Sequence, residues 1–568
     1  MHNILDGLSL IRCALLVSLF ASEFAFCGEQ QPVVESGLKS HSSPYLRQHA
    51  DDPIHWRTLN RSTMDLAASL QRPILISSGY MSCYWCLRMQ QDTFSDVELA
   101  TLINANFIPI LIDRELNPIE DQFLQNFAEE SQGFSGWPIT VLLTHSGNPL
   151  FAYGYIDRQS LIKSLNTFVS VWNLSSDQIS AQARIEAEKS AETTAAQELL
   201  WTGGELVDLL NAFIDQTNAA ADPEFGGFGF VEKYPFVPQL FALMDLNAIN
   251  PNPELSSFIT LTLDNILEGS LIDKVEGGVF RYTEQRDWGA PHFEQMLSTQ
   301  VMVAKLLLRG ARMAKNPDYQ EAGLRILDNM IGRMRSEDGG YVSSLSAFDS
   351  AGEDGGYYTW DVERLEYLLG DKWQRDLIDL LPHAEVVLPD PIGIQKDLVL
   401  QTLRNDRKTR DLVRDTKVLL GLNGLALSSL VAGASVRADL IGPARDLANQ
   451  LMTQVATMSP DLEAVRGSPR DADLATYVYV AAGLFDWWQL TAEKGVLDLV
   501  ASLLIAAQKK FYNNGKWRSG EDSPLVREQT RIAIKDDQLP SPSAEWFRLG
   551  NALTLTDNIY KDDVKIGL

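Results

Sequence analysis

The sequence predicts an α/β unit followed by a longer all-α region of helical pairs, and three observations carry that prediction. A Cys-x-x-Cys, Cys83-Tyr84-Trp85-Cys86, follows the apolar run Pro73 to Ser77 and precedes a stretch that can be helical as far as Thr93. A proline enters the strand-like run Gly136-Trp137-Pro138-Ile139-Thr140-Val141-Leu142-Leu143. Beyond Trp172 apolar residues recur at helical spacing, separated by glycine-rich breaks. The chain has 568 residues, 45% of them apolar, which is enough for two or more cores.

Residues 1–28 read as a signal peptide: Leu8 to Ala21 is mostly apolar but short for a membrane span, and Ala25-Phe26-Cys27 has small residues at a cleavage-like spacing. A buried N-terminal helix is the other reading, and Phe26 speaks against lipid anchoring through Cys27. The expectation is an exported protein, periplasmic or secreted, with no transmembrane span in the mature chain. A net charge of -27 disfavours nucleic acid or an anionic membrane as main partner. Of four cysteines, Cys13 and Cys27 fall in that segment, leaving Cys83 and Cys86 as the mature pair. Zinc needs about four ligands; no second pair exists and the histidines show no ligand spacing, so no metal is expected. A redox-active dithiol, or two inert half-buried cysteines, are the remaining readings.

At a helix start, the first sulfur meets unpaired backbone N–H groups and the positive end of the helix dipole, which favour thiolate. Ser95-Asp96-Val97-Glu98 reads as a capping box for a helix to about Asn106, and Phe107 to Ile112 as a strand ending in Asp113-Arg114-Glu115. Pro118 to Glu130 reads as a helix. A turn at Ser146-Gly147-Asn148 joins the proline-led strand to one near Pro149 to Tyr155, and Asp157 can cap a helix to Trp172. The order strand, Cys-x-x-Cys helix, strand, helix, proline-led strand, hairpin strand, helix is that of a thioredoxin-like domain, assigned to residues 29–174.

Together with Cys83-Tyr84-Trp85-Cys86, Asp113-Arg114-Glu115 and Gly136-Trp137-Pro138, the stretch Ser43-Pro-Tyr-Leu-Arg-Gln-His-Ala-Asp-Asp-Pro-Ile-His-Trp56 resembles the spermatogenesis-associated thioredoxin-like family. The resemblance implies a thioredoxin-like domain fused to an α/α toroid of six-hairpin type, similar to glycoside hydrolases and N-acylglucosamine 2-epimerases. It also implies a cis Trp137–Pro138 bond beside Cys83, with Tyr84, Trp85, Trp137 and Pro138 around the sulfurs. Core packing is the alternative for the tryptophans. The family carries histidine after each cysteine, where this chain has Tyr84 and Leu87. Without an adjacent imidazolium, and with no acid on Ile74-Leu75-Ile76-Ser77, the helix terminus must supply most of any shift, with Arg88 the nearest charge.

Residues 175–198, rich in Ala, Glu, Ser and Gln, suit a linker or solvated helix, leaving 199–568 for the toroid. Leu206-Leu209-Leu210-Phe213, Met302-Leu306-Leu307 and Leu425-Leu427-Leu430-Val431 are helical patterns. Phe225-Gly226-Gly227-Phe228, Gly277-Gly278-Val279-Phe280, Gly339-Gly340-Tyr341 and Gly355-Gly356-Tyr357 punctuate them, each glycine pair letting the chain turn and lay a ring on the next helices. Pro291 in Pro291-His292-Phe293-Glu294 suits a helix start. There His292 and Glu294, about 200° apart on a helix, share a cavity only from a non-helical first turn. They read either as acid and base or as a buried hydrogen-bonding histidine and a capping carboxylate. Asp349 survives from a block that has two aspartates in the family, and Lys417 to Leu425 has leucine for tryptophan. The chain stops soon after Pro540-Ser541-Pro542-Ser543, so an incomplete last hairpin is expected.

Two functions follow. The first is an exported thiol–disulfide oxidoreductase in which Cys83 attacks and Cys86 resolves, needing no cofactor beyond its own disulfide and taking a protein thiol/disulfide partner or a small thiol that the toroid binds or presents. The second is a carbohydrate-binding or carbohydrate-modifying toroid, with His292, Glu294 and Asp349 facing the ligand and the thioredoxin-like domain docking or regulating. A non-catalytic scaffold is a third. The intact dithiol beside an eroded cavity favours the first.

Overall fold

A computed structural model describes residues 38–199, 206–370, 396–458, 461–466, 472–520, 523–526 and 538–556. The expected signal peptide, with Cys13 and Cys27, lies outside them. Residues 36–568 form one compact unit, and among the described residues no helix is long and apolar enough to cross a membrane.

The thioredoxin-like part is built on strands β1 (Ile74–Gly79), β2 (Ile108–Asp113), β3 (Ile139–Leu143) and β4 (Pro149–Tyr153), in sheet order β2-β1-β3-β4. β1 runs parallel to β2 and antiparallel to β3, in the register Ile76↔Ile110 and Ile76↔Val141. Side chains alternate across a sheet covered on both faces. Ile74, Ile76, Ile110 and Val141 enter one core, while Leu75, Leu111 and Leu142 enter the other. Helices α1 (Pro44–Gln48), α2 (Arg61–Leu70), α3 (Tyr84–Met89), α4 (Val97–Asn106), α5 (Pro118–Gln132) and α6 (Arg158–Leu199) pack around it. α4 is capped by Asp96, not Ser95: the Asp96 carboxylate accepts from Leu99 N–H at 2.8 Å, and the Ser95 hydroxyl donates to the Gln91 carbonyl. α6 continues past Trp172 through a non-helical Ser175, so of the two readings of residues 175–198, linker or solvated helix, a helix is what forms.

The second part is the α/α toroid. Its helices are α7 (Leu206–Ala220), α8 (Val237–Ile249), α9 (Pro253–Glu268), α10 (Leu297–Ala314), α11 (Pro317–Arg333), α12 (Val362–Leu369), α13 (Lys396–Arg407), α14 (Leu420–Ala434), α15 (Ile441–Met458), α16 (Leu474–Thr491), α17 (Val496–Phe511) and α18 (Pro542–Thr556). α8, α10, α14, α16 and α18 neighbour one another in that order, and α9, α11, α15 and α17 back the first four. α14 and α16 approach closely because glycines face each other: a Cβ on Gly424 would lie 2.3 Å from the Tyr479 carbonyl oxygen, and one on Gly483 2.2 Å from that of Gly424. Rings fill the space beside two of the glycine pairs, Trp288 at Gly227 and Phe293 at Gly355, while Arg325 and Gln295 or Gln450 and Asn423 meet the other two. Gly227, at φ +67°, leaves room that Trp288 fills.

The Pro291 segment differs from expectation. Residues 291–296 are extended: strands β5 (Tyr282–Thr283) and β6 (Pro291–His292) pair, as do β7 (Gln295–Met296) and β8 (Ser344–Asp349), and α10 begins only at Leu297. Cross-strand bonds, absent from any local pattern, hold it open. β9 (Leu412–Asp415) completes the sheet of β7 and β8.

Candidate functional site

β1 ends at Gly79, where an added Cβ would lie 2.5 Å from the Tyr45 hydroxyl and 3.0 Å from Cys86 Sγ. The chain turns through Tyr80-Met81-Ser82, with Cys83 N–H donating to the Tyr80 carbonyl at 3.3 Å. Cys83 is the N-cap of α3: its sulfur accepts from Cys86 N–H at 3.1 Å, and the two cysteines form a disulfide. They are 3% and 2% exposed, against 42% for Trp85. The toroid packs over both neighbours of Cys83. The Ser82 carbonyl accepts from Ala347 N–H of β8 at 3.1 Å, the Ser344 hydroxyl donates to that of Ser82 at 3.0 Å, and Tyr84 packs against the cluster of Phe280, Phe293 and Tyr358.

What remains open of Cys83 faces a cavity of about 1180 Å³ walled by both parts of the chain. Trp85 and Trp137 line it from the thioredoxin-like side; the Trp137–Pro138 bond is cis, and Pro138 lies in an adjoining recess with Trp85, Trp137 and Tyr155. Trp137 Nε1 donates to Asp121 at 2.8 Å, and the Ser78 hydroxyl donates to the same oxygen at 2.6 Å. Burial pushes the Asp121 carboxyl above its ordinary value, against the pull of Arg114 and these hydrogen bonds. The guanidinium of Arg114 lies 4.1 Å from the Trp137 ring centre, and that of Arg281 lies 4.9 Å from it. Arg88 instead pairs with Asp92 along its own helix at 2.7 Å.

From the toroid, His292 and Glu294 point into the same cavity. Two residues apart on an extended segment they share a side, and His292 Nδ1 lies 3.2 Å from Glu294. Nε2 lies 3.3 Å from Glu284. Burial lowers the imidazole pKa, but the hydrogen bond and charge of Glu294, with Glu284 behind them, outweigh it and leave His292 above its ordinary value. Burial likewise opposes ionisation of Glu294; His292, Arg281 and Tyr80 reverse this and hold it below. The Tyr80 hydroxyl donates to Glu294 at 2.8 Å and accepts from Arg281, so the residue three before Cys83 is bonded to the toroid's carboxylate. Tyr234, Tyr282 and His292 stack as a ladder, with centres 4.4 and 4.5 Å apart.

Cys83, Trp85, Trp137, His292 and Glu294 are thus brought together around one space. Asp349 is not among its lining residues: it ends β8, where its carboxylate accepts from Ala351 and Glu353 N–H at 2.9 and 3.0 Å. Sequence reasoning missed Tyr80, Asp121, Tyr234 and Arg281 as site residues. Arg281-Tyr282 beside a Gly-Gly break carried a faint signal; Asp121, inside an ordinary amphipathic helix, carried none.

Residues 35–196 match a protein-family model, Thioredox_DsbH, described as "Protein of unknown function, DUF255". Spermatogenesis-associated protein 20 of Mus musculus is 28% identical over 356 residues, which are 60% of this chain and 45% of that protein. An uncharacterized protein of Caenorhabditis elegans is 26% identical over 601 residues, covering 93% of this chain and 81% of its own. The chain therefore spans less than half the length of the mouse relative and most of the worm one. Among solved structures, cellobiose 2-epimerase from Bacillus thermoamylovorans aligns at 10% identity and a TM-score of 0.41, covering 63% of this chain and 86% of its own. The resemblance to the spermatogenesis-associated thioredoxin-like family, drawn from separated motifs, is borne out by these matches.

Proposed function

We propose that this chain is an exported thiol–disulfide oxidoreductase whose dithiol works inside the cavity it shares with the toroid. The observation that carries the reading is the Cys83–Cys86 disulfide at the start of α3, with Cys83 alone of the pair lining the cavity wall. In the reduced protein the Cys83 thiolate would be stabilised by Cys86 N–H and the end of α3. It attacks one sulfur of a partner disulfide, the partner's S–S bond breaks, and a mixed disulfide forms. Cys86 then attacks Cys83, closing the intramolecular disulfide and releasing the partner's second thiol. Two electrons pass to the partner, and the cycle needs no other cofactor. Where the family has histidines beside the cysteines, this chain brings Arg114, Arg281 and His292 to the wall of the same cavity.

Cys86→Ser is expected to accumulate mixed disulfides through Cys83, seen by mass spectrometry after acid trapping, whereas Cys83→Ser accumulates none. A Cys83–Cys86 couple that never exchanges with small disulfides in a redox titration would sink the reading. Export rests on the composition of residues 1–28, and the N-terminal residue of protein recovered from cell fractions tests it. One observation favours a second reading, a carbohydrate-binding toroid: the Tyr234–Tyr282–His292 ladder beside Glu294 offers ring faces and a carboxylate to a sugar. A glycan panel giving no thermal shift would dismiss it.

A further inference from the structure

The chemistry of the cavity restricts which disulfide or thiol can reach Cys83, an inference that rests on the redox reading above. Access comes first. Cys83 is 3% exposed, and the toroid strand β8 is bonded to the residue before it, so a partner must enter a cavity of about 1180 Å³. That is the scale of a small-molecule site and leaves little place for the face of a folded protein.

Charge comes second. Among the described residues, eight carboxylates and two arginines line the cavity. Glu115 is answered by Lys417 at 3.1 Å, and Asp473 caps α16. That leaves Glu120, Asp121, Glu129, Glu232, Glu284 and Glu294. Both arginines are already engaged. Arg281 is held by the Tyr80 hydroxyl and lies 4.0 Å from Glu294, while Arg114 lies against the rings of Trp137 and Tyr80. Even with Asp121 protonated and His292, which faces Glu284 and Glu294, counted as a cation, five carboxylates stand against three positive groups, on walls of low dielectric that focus the field. An anionic thiol would enter against that field, and a cationic one along it.

We propose that the redox partner of this cavity is a small disulfide or thiol bearing protonated amino groups. For the reduced protein, Cys83 thiolate attacks one sulfur of the diamino disulfide and one aminothiolate leaves. Cys86 thiolate then attacks Cys83 and expels the second. Two electrons move from the dithiol to the partner, and the two cysteine protons end on two aminothiols.

The test uses the full reduced chain and three disulfides of similar size: cystamine (dication), bis(2-hydroxyethyl) disulfide (neutral) and dithiodiglycolate (dianion). The rate of Cys83–Cys86 closure is read by thiol alkylation and mass spectrometry, and each rate is divided by that of dithiothreitol with the same probe. At low salt the normalised order should be dication, neutral, dianion, with about tenfold or more between the extremes. The spread should shrink in 1 M NaCl and in Glu129→Gln/Glu232→Gln. Normalised rates that are equal, or that favour the dianion, overturn the inference while the neutral probe's exchange upholds the dithiol reading. Closure by none of the three overturns both.

Discussion

The Tyr80 hydroxyl sits between Arg281 and Glu294, and the Tyr80 carbonyl accepts from Cys83 N–H, so one residue joins the dithiol turn to the toroid's buried carboxylate. Tyr80→Phe removes a donor from Glu294 and a partner from Arg281, all three side chains being buried. The expected cost is about 1–3 kcal/mol of unfolding free energy, read from urea denaturation. The His292–Glu294 pair makes a pH-dependent contribution of its own. The folded pKa of His292 is raised, so its stabilisation is complete below the unfolded value of about 6.5 and is lost as pH rises through the folded value. In Glu294→Gln the opposing charge is gone while burial remains. His292 should then titrate below the ordinary value, followed by NMR of its ring protons; an unchanged midpoint would show that Glu294 does not set it.

At the scale of elements, local signals were sufficient where partners are local and failed where they are distant. The succession β1, α3, α4, β2, α5, β3, β4, α6 was legible because alternating or helical apolar patterns and flanking turn residues mark each piece. The cap of α4 moved from Ser95 to Asp96 because both can cap, and the Ser95 hydroxyl found the Gln91 carbonyl instead. The Pro291 segment was misread because its extended form depends on Tyr282 and on β8, neither visible from six residues. The contact of α14 with α16 is also long-range, and it makes a sharp prediction. Gly424→Ala would place a methyl 2.3 Å from the Tyr479 carbonyl oxygen, which only separation of the two helices relieves. A loss of about 1–3 kcal/mol is expected, seen as a lowered melting temperature. Gly442→Ala, whose Cβ meets nothing within 4 Å, is the control.

At the scale of the whole molecule, the two parts are locked by a charge cluster whose members lie hundreds of residues apart, so no window of sequence could assemble it. Lys417 of the toroid has Asp113 and Asp415 at 2.6 Å and Glu115 at 3.1 Å, with the ammonium and both aspartates fully buried. The Ser43 hydroxyl donates to Asp113, and that of Ser343 donates to Glu115, each at 2.5 Å. The cluster therefore fixes the Asp113-Arg114-Glu115 turn that delivers Arg114 to the cavity. One cation cannot neutralise three buried carboxylates. Burial, with the charges of Glu115 and Asp113 added and Lys417 opposing, pushes Asp415 up to about 7. Its folded pKa thus stands above the ordinary 3.8, so between about pH 4 and 7 the folded state holds a proton that the unfolded chain releases. Stability from this group is greatest at the acid end of that window, falls as pH rises through it, and levels off above. Lys417→Met should cost about 3–5 kcal/mol, since it strands the carboxylates, and adding Asp415→Asn should return part of the loss. In urea denaturation from pH 4.5 to 8, Asp415→Asn alone should flatten the decline. A slope identical to that of the unmodified chain would mean that the proton is held elsewhere in the cluster.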